Sequence, residues 1–246
     1  MVNEAGDSAA TPSFYRAALA STVAIVAVLA TALTARAEGS NDPYPRMAPF
    51  GQYLMDRSEE IALARSAAPR SISQDAEVLV LTREGYDSVA PGTNGFVCMV
   101  QRSWAAGPDD PEFWNPRLRA PICFNPPAAR SYLPQITRKT DWALAGRTKA
   151  QIAEDLGSAL AMKVLPTPEV GSMCYMMSKE GYLNDRDGHW YPHLMFFLPL
   201  AEPSSWGAGL PGSPVLGSQD RLGGVTVFLV PVGQWSDGTA APRYAH

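Results

Sequence analysis

Apolar positions recur along this chain at two spacings. Ile61, Leu63, Ala64, Ala67 and Ala68 fall at helical intervals and stop at Pro69. Asp56 or Ser58 is placed to cap that helix, with Glu59 and Glu60 in its first turn. A second helical pattern covers residues 148–162, where Ile152, Leu156, Ala159 and Leu160 share one face. Residues 128–136 suit a shorter helix. Five brief apolar runs read as strands, at 76–81, 96–100, 173–178, 193–198 and 225–232. The order of these elements predicts a single α+β domain: an antiparallel sheet of about five strands covered by helices on one face, with a profilin- or PAS-like element order. Such an order is an analogy of architecture and carries no activity.

Between these elements lie stretches without a period. Residues 38–55 are rich in Pro, Gly, Asn and Asp and read as an irregular tether before a domain spanning 56–235. Residues 236–246 read as an irregular tail. Residues 103–127 run through several prolines and two tryptophans. A loop of that length inside a compact domain is uncommon and often functional.

Residues 17–35 carry no charge. Arg16 precedes them, and Ala35, Arg36 and Ala37 form a small-x-small site. This is the pattern of a secretory signal peptide over 1–37. The alternative is an uncleaved anchor, since about 20 apolar residues span a bilayer. Glu4 and Asp7 sit where a leader is normally positive, which fits a start codon placed too far upstream. The expected location is therefore periplasmic or secreted, or anchored in the inner membrane facing the periplasm.

Composition narrows the partners. Hydrophobic residues make up 46% and charged residues 18%, the balance of a globular chain. The net charge of −4 and the lack of a basic run argue against nucleic acid. Contact with a membrane is expected only through an uncleaved N-terminal segment. Arginine far outnumbers lysine and alanine is abundant, as in GC-rich bacterial genomes. No cofactor motif is present. A small molecule or an envelope protein is the expected partner.

There are three cysteines. An oxidising compartment permits a bridge, and an odd count leaves one thiol over. Cys98 lies in an expected strand and Cys123 in the long loop, which a bridge between them would pin. Three reduced, buried cysteines are the competing reading. Cys174 as a nucleophile would need a base beside it.

The densest polar stretch is 181–193, with Asn184, Asp185, Asp187, His189, Tyr191 and His193. A calcium loop with Gly188 at its sixth position places Asp185 and Asp187 well but puts Leu183 and Leu194 where oxygens are needed. Two histidines four residues apart along a strand lie about 13 Å apart, too far to share one metal ion. Acid–base chemistry would use His189 or His193 as base with Asp187 orienting it. The simplest reading is a hairpin turning at Asp187 and Gly188. Its second strand would then offer His189, Tyr191 and His193 to a pocket, with Asn184, Asp185 and Trp206 as further ligand contacts.

Several strings also carry a resemblance: GFVCMVQRSW, PICFNPPAARSYLP, GYLNDRDGHWYPHLMFF, WGAGLPGSPVLG and the WSDGT end. Together they resemble a family of exported bacterial proteins of unknown function. The resemblance implies export and no activity, cofactor or catalytic residue. The expected function is binding of a small ligand or envelope partner. The alternatives are a hydrolase-like enzyme with a His/Asp site at 184–193, and a structural envelope protein without a pocket.

Overall fold

Eight strands form one mixed sheet in the computed structural model, which describes residues 42–188 and 190–242. The expected signal peptide or anchor at 1–37 lies outside the described residues. The strands are β1 (Glu77–Thr82), β2 (Gly85–Ala90), β3 (Val97–Gln101), β4 (Ala120–Phe124), β5 (Met173–Met176), β6 (His193–Pro199), β7 (Leu216–Asp220) and β8 (Val225–Pro231). Their order across the sheet is β2-β1-β3-β4-β5-β6-β8-β7. Every pairing is antiparallel except β1 with β3. The α+β class fits, but the sheet has eight strands rather than about five. The five apolar runs are β1, β3, β5, β6 and β8. The other three gave no apolar signal: β2 and β7 are polar edge strands, and β4 is hidden among prolines.

Helices cover both faces of the sheet, not one. β1, β3 and β4 are buried on both sides, so they read as continuous apolar runs. On one face lies α1 (Arg57–Arg65), capped by the Asp56 carboxylate, which accepts from the backbone N–H of Ser58 and Glu59. Its Leu63 and Ala64, followed by Ala67 and Ala68, pack on Val78, Val80, Cys98, Val100 and Cys123. On the other face, α3 (Pro126–Ser131) and α4 (Leu133–Leu144) bring Ala128, Leu133 and Ile136 onto Leu79, Met99, Ile122 and Phe124. A short α2 (Arg70–Ser73) leads into β1, and α5 (Lys149–Ala161) starts with a Thr148–Gln151 capping box. Gly92 lets the chain cross beside β1, because a Cβ there would run into the backbone of Glu77.

The described part of the segment that composition marks as a tether, residues 42–55, is mostly irregular, yet it packs against the domain. It holds a 3-10 turn at Phe50–Tyr53, and Tyr53 is fully buried beside Trp104, with ring centroids 4.9 Å apart. Trp104, Phe113 and Trp114 join the same cluster. Three aromatic side chains thus anchor the long loop between β3 and β4 to the body of the domain. Toward the C-terminus, Trp235 is buried and the Ser236 N–H donates to the Met177 carbonyl.

Cys98 and Cys123 are bonded to each other. Cys123 lies in β4, not in the loop, and is the direct cross-strand neighbour of Cys98. The bridge therefore joins two central strands and closes the long loop at its base.

Candidate functional site

Register decides what faces the long loop. In the β5–β6 ladder Met176 stands opposite His193, and in the β6–β8 ladder Met195 stands opposite Leu229. These four residues line one cleft of about 510 Å³. Asp110, Pro111 and Glu112 of the long loop form its far wall, and Leu183, Asn184, Arg186 and Trp190 its near wall. The volume lies within the range of small-molecule sites.

One carboxylate holds the two walls together. Asp185 accepts hydrogen bonds from Tyr182 Oη at 2.7 Å and Asn115 Nδ2 at 2.8 Å, and also from Tyr44 Oη. Arg117 forms an ion pair with it. Its backbone N–H donates to Glu112 Oε1 at 3.2 Å, and Glu112 also accepts from Asn115. The donors, led by Tyr44, hold the Asp185 carboxyl well below the usual carboxylate range, against the smaller opposing effect of burial. Asp185, expected as a ligand contact, is instead spent on tying the turn to the loop and to the N-terminal segment.

His193 is nearly fully buried at the cleft floor. Its Nδ1 lies 2.7 Å from the Tyr191 carbonyl oxygen, which only accepts, so Nδ1 carries the proton and Nε2 is left as an acceptor in the neutral ring. Burial pushes its pKa down, opposed by that hydrogen bond. The Trp190 ring stands 5.4 Å from the imidazole, centroid to centroid.

The other expected site residues are spread out. His189 lies outside the described residues. Asp187 is paired with its neighbour Arg186, and its backbone N–H donates to Asn184 Oδ1. Gly188 closes the turn at φ +72°, bonded back to Asn184. Among the described residues no carboxylate bonds His193, whose orienting partner is a carbonyl. Asp187 and Tyr191 line a second cleft of about 530 Å³, with Trp190 and Trp235. Trp190, 40% exposed, borders both clefts. Trp206 lies on the opposite face of the sheet, stacked on Phe228 at 4.5 Å and near Phe196. The structure therefore does not bring Trp206 to the His193 cleft.

Cys174 is fully buried, and burial pushes its thiol pKa up, so it lacks the thiolate character of a nucleophile. The arginines flanking the long loop are all engaged within the protein. Arg102 pairs with Glu60, Arg117 with Asp185 and Arg130 with Glu169, while Arg119 donates to the carbonyls of Pro116, Leu118 and Gln52.

A smaller cavity of about 190 Å³ lies on the same face of the sheet. Ile122, Phe197 and Val227 form its floor, Tyr132 and Ile136 one side, and Ser103, Ala105 and Ala106 the other. Met195 lines both this cavity and the 510 Å³ cleft. Lys139 holds the wall in place by donating from Nζ to the carbonyls of Ala105 and Ala106, each at 3.1 Å. The cavity's lining is mostly apolar, with Gln101, Arg102 and Ser103 as polar exceptions. Ser103, 1% exposed, has a buried hydroxyl without a hydrogen-bond partner.

Glu112, Asn115 and Tyr44 had no signal of their own in the sequence. The length of the aperiodic loop was the one hint that its residues matter. Among the described residues, no cluster of three His, Cys, Asp or Glu side chains is placed to hold a metal ion. Among them, too, no helix is long and apolar enough to cross a membrane. The chain matches no protein-family model, no curated protein and no solved structure.

Proposed function

We propose that this protein is an exported domain that binds a small ligand in the clefts on either side of Trp190. The observation that carries this reading is the position of Trp190. A large aromatic side chain, 40% exposed, stands between two clefts of about 510 and 530 Å³. Exposed aromatics in concave sites supply rigid contact area to ligands. The polar groups are fixed: His193 Nε2 as an acceptor, Asn184, the carboxylates of Asp110 and Glu112, and the Arg186–Asp187 pair. Export rests on the uncharged segment 17–35 and the Ala35-x-Ala37 site. Binding is favoured over hydrolysis because the partner of His193 Nδ1 is a carbonyl, where a general base is normally oriented by a carboxylate.

A ligand screen on the purified protein, read by tryptophan fluorescence and thermal shift, tests the site. A bound ligand should raise the melting temperature, and Trp190→Ala should remove at least nine-tenths of its affinity. Hits that bind Trp190→Ala as tightly as wild type place the site elsewhere. N-terminal sequencing of protein recovered from cell fractions tests export, with a start at Glu38 in an extracytoplasmic fraction as the expected result.

A further inference from the structure

We propose that the ligand is a single-chain amphiphile, with its aliphatic tail in the 190 Å³ cavity and an uncharged, hydroxyl-bearing head in the 510 Å³ cleft. This rests on the ligand-binding reading above and names the class of molecule.

Three observations lead to it. First, the cavity is smaller than the roughly 300 Å³ at which small-molecule sites usually begin. It can hold only part of a ligand. Met195 lines both this cavity and the larger cleft, so the rest of the molecule can extend past it into the cleft. Second, the two spaces differ in chemistry. The cavity is walled by Ile122, Tyr132, Ile136, Phe197 and Val227, with Ala105 and Ala106 closing the side. The cleft has Met176, Met195 and Leu229 on its floor and polar groups on its walls. Unbranched methionine side chains at the junction adapt readily to a flexible chain. Third, the charged groups at the cleft are all held within the protein, and two carboxylates there, Asp110 and Glu112, have hydrogen-bond donors but, among the described residues, no cation beside them. Arg186 pairs with Asp187, and Glu112 accepts from Asn115 and from the Asp185 N–H. Among the described residues, no cation is left over at the cleft for a carboxylate or phosphate head, while Asn184 and His193 Nε2 remain suited to hydroxyls. A neutral polyol head fits this lining better than an anionic one.

The test uses 1-monooctanoylglycerol as the probe, titrated into the purified protein below its critical micelle concentration and followed by calorimetry. Glycerol and octanoate serve as comparisons. The proposal expects saturable binding of the monoester, no saturable binding of glycerol, and octanoate at least tenfold weaker. Ala106→Phe, which fills the cavity from its side wall, should weaken monoester binding at least tenfold. Val227→Phe, which fills it from the floor, is the second variant should the first fail to fold. A diazirine placed in the octanoyl tail gives a readout that needs no variant, and peptides carrying Tyr132, Met195 or Val227 should be labelled. The proposal is overturned if the monoester does not bind, if octanoate binds as tightly, if the folded variants bind as wild type does, or if labelling falls elsewhere. Screening hits that depend on Trp190 while the monoester fails to bind would overturn the amphiphile and leave the ligand-binding reading standing. An absence of any Trp190-dependent ligand would remove both.

Discussion

The guanidinium of Arg102 stands 2.9 Å from the carboxylate of Glu60, and neither side chain has any exposed surface. The residues come from α1 and from the point where β3 enters the long loop. Around the pair, Arg102 donates to the carbonyls of Tyr53 and Val100, and Glu60 Oε1 accepts the Leu81 N–H at 3.1 Å. One buried pair thus holds the N-terminal segment, α1, β1 and the root of the loop in register. Removing one partner from a buried pair strands the other charge and costs about 3–5 kcal/mol. Glu60→Ala should lower the unfolding free energy by that amount in urea titrations. A loss under about 1 kcal/mol would mean the pair is not isolated from water.

The disulfide closes the same loop. Its half-cystines are 25 residues apart, which corresponds to about 3.5 kcal/mol in the chain-entropy description. Cys98→Ala with Cys123→Ala should lose roughly that much stability. Cys174, fully buried, should stay unlabelled by thiol reagents until the protein unfolds. Labelling of Cys174 in the native protein would contradict its packing.

Asp185 should govern order in the walls more than overall stability. Its side chain is partly exposed, so solvent screens the Arg117 pair and the net stabilisation is modest. Asp185→Ala leaves Tyr44, Tyr182, Asn115 and Arg117 without their shared acceptor. Amide exchange should rise in 107–117 and 182–188 while the melting temperature changes little. The carboxyl pKa is depressed in the folded state, so its contribution is complete above the ordinary value of 3.8 and fades as pH falls below it. Loosening confined to these segments should appear below about pH 4. Unchanged exchange in the variant would show that the walls are held by other contacts.

His193 gives a pH dependence at milder values. Burial lowers its folded pKa beneath the ordinary 6.5. Above that value both folded and unfolded forms are neutral, and the residue contributes nothing to the slope. As pH falls through 6.5 the unfolded chain takes up a proton that the folded protein refuses, so stability declines until the folded pKa is reached. The melting temperature should therefore fall between pH 7.5 and 5.5, and His193→Phe should flatten that part of the profile. A profile identical in the variant would assign the slope to other groups.

Much of the fold was legible because burial leaves a local mark. The run Val78, Leu79, Val80, Leu81 reads as a strand because both of its faces meet helices. The cap at Asp56 was legible because a helix start needs side-chain acceptors at fixed spacing, while Thr148, read as the first residue of its helix, is in fact the cap. β2, β4 and β7 were not. Gly85–Ala90 and Leu216–Asp220 lie at sheet edges, where few side chains are buried, and Ala120–Phe124 is framed by turn-forming residues. The site was legible only as a region. Stretch 181–193 does contribute His193 and Trp190 to a cleft, but Asp185 became an internal tie and Trp206 went to the other face.

By itself, then, the sequence determined the α+β class, five of the strands, the places of α1 and α5 and a polar turn at Gly188, because each depends on neighbours within a few positions; the one short helix expected at 128–136 is instead two, α3 and α4. The tertiary structure alone decided what that turn meets. Glu112 reaches Asp185 across 73 positions, and Cys98 meets Cys123 only because β3 and β4 pair in that register. Contacts made by chain reversal leave no periodic trace in either partner. The clefts beside Trp190 are made of such contacts.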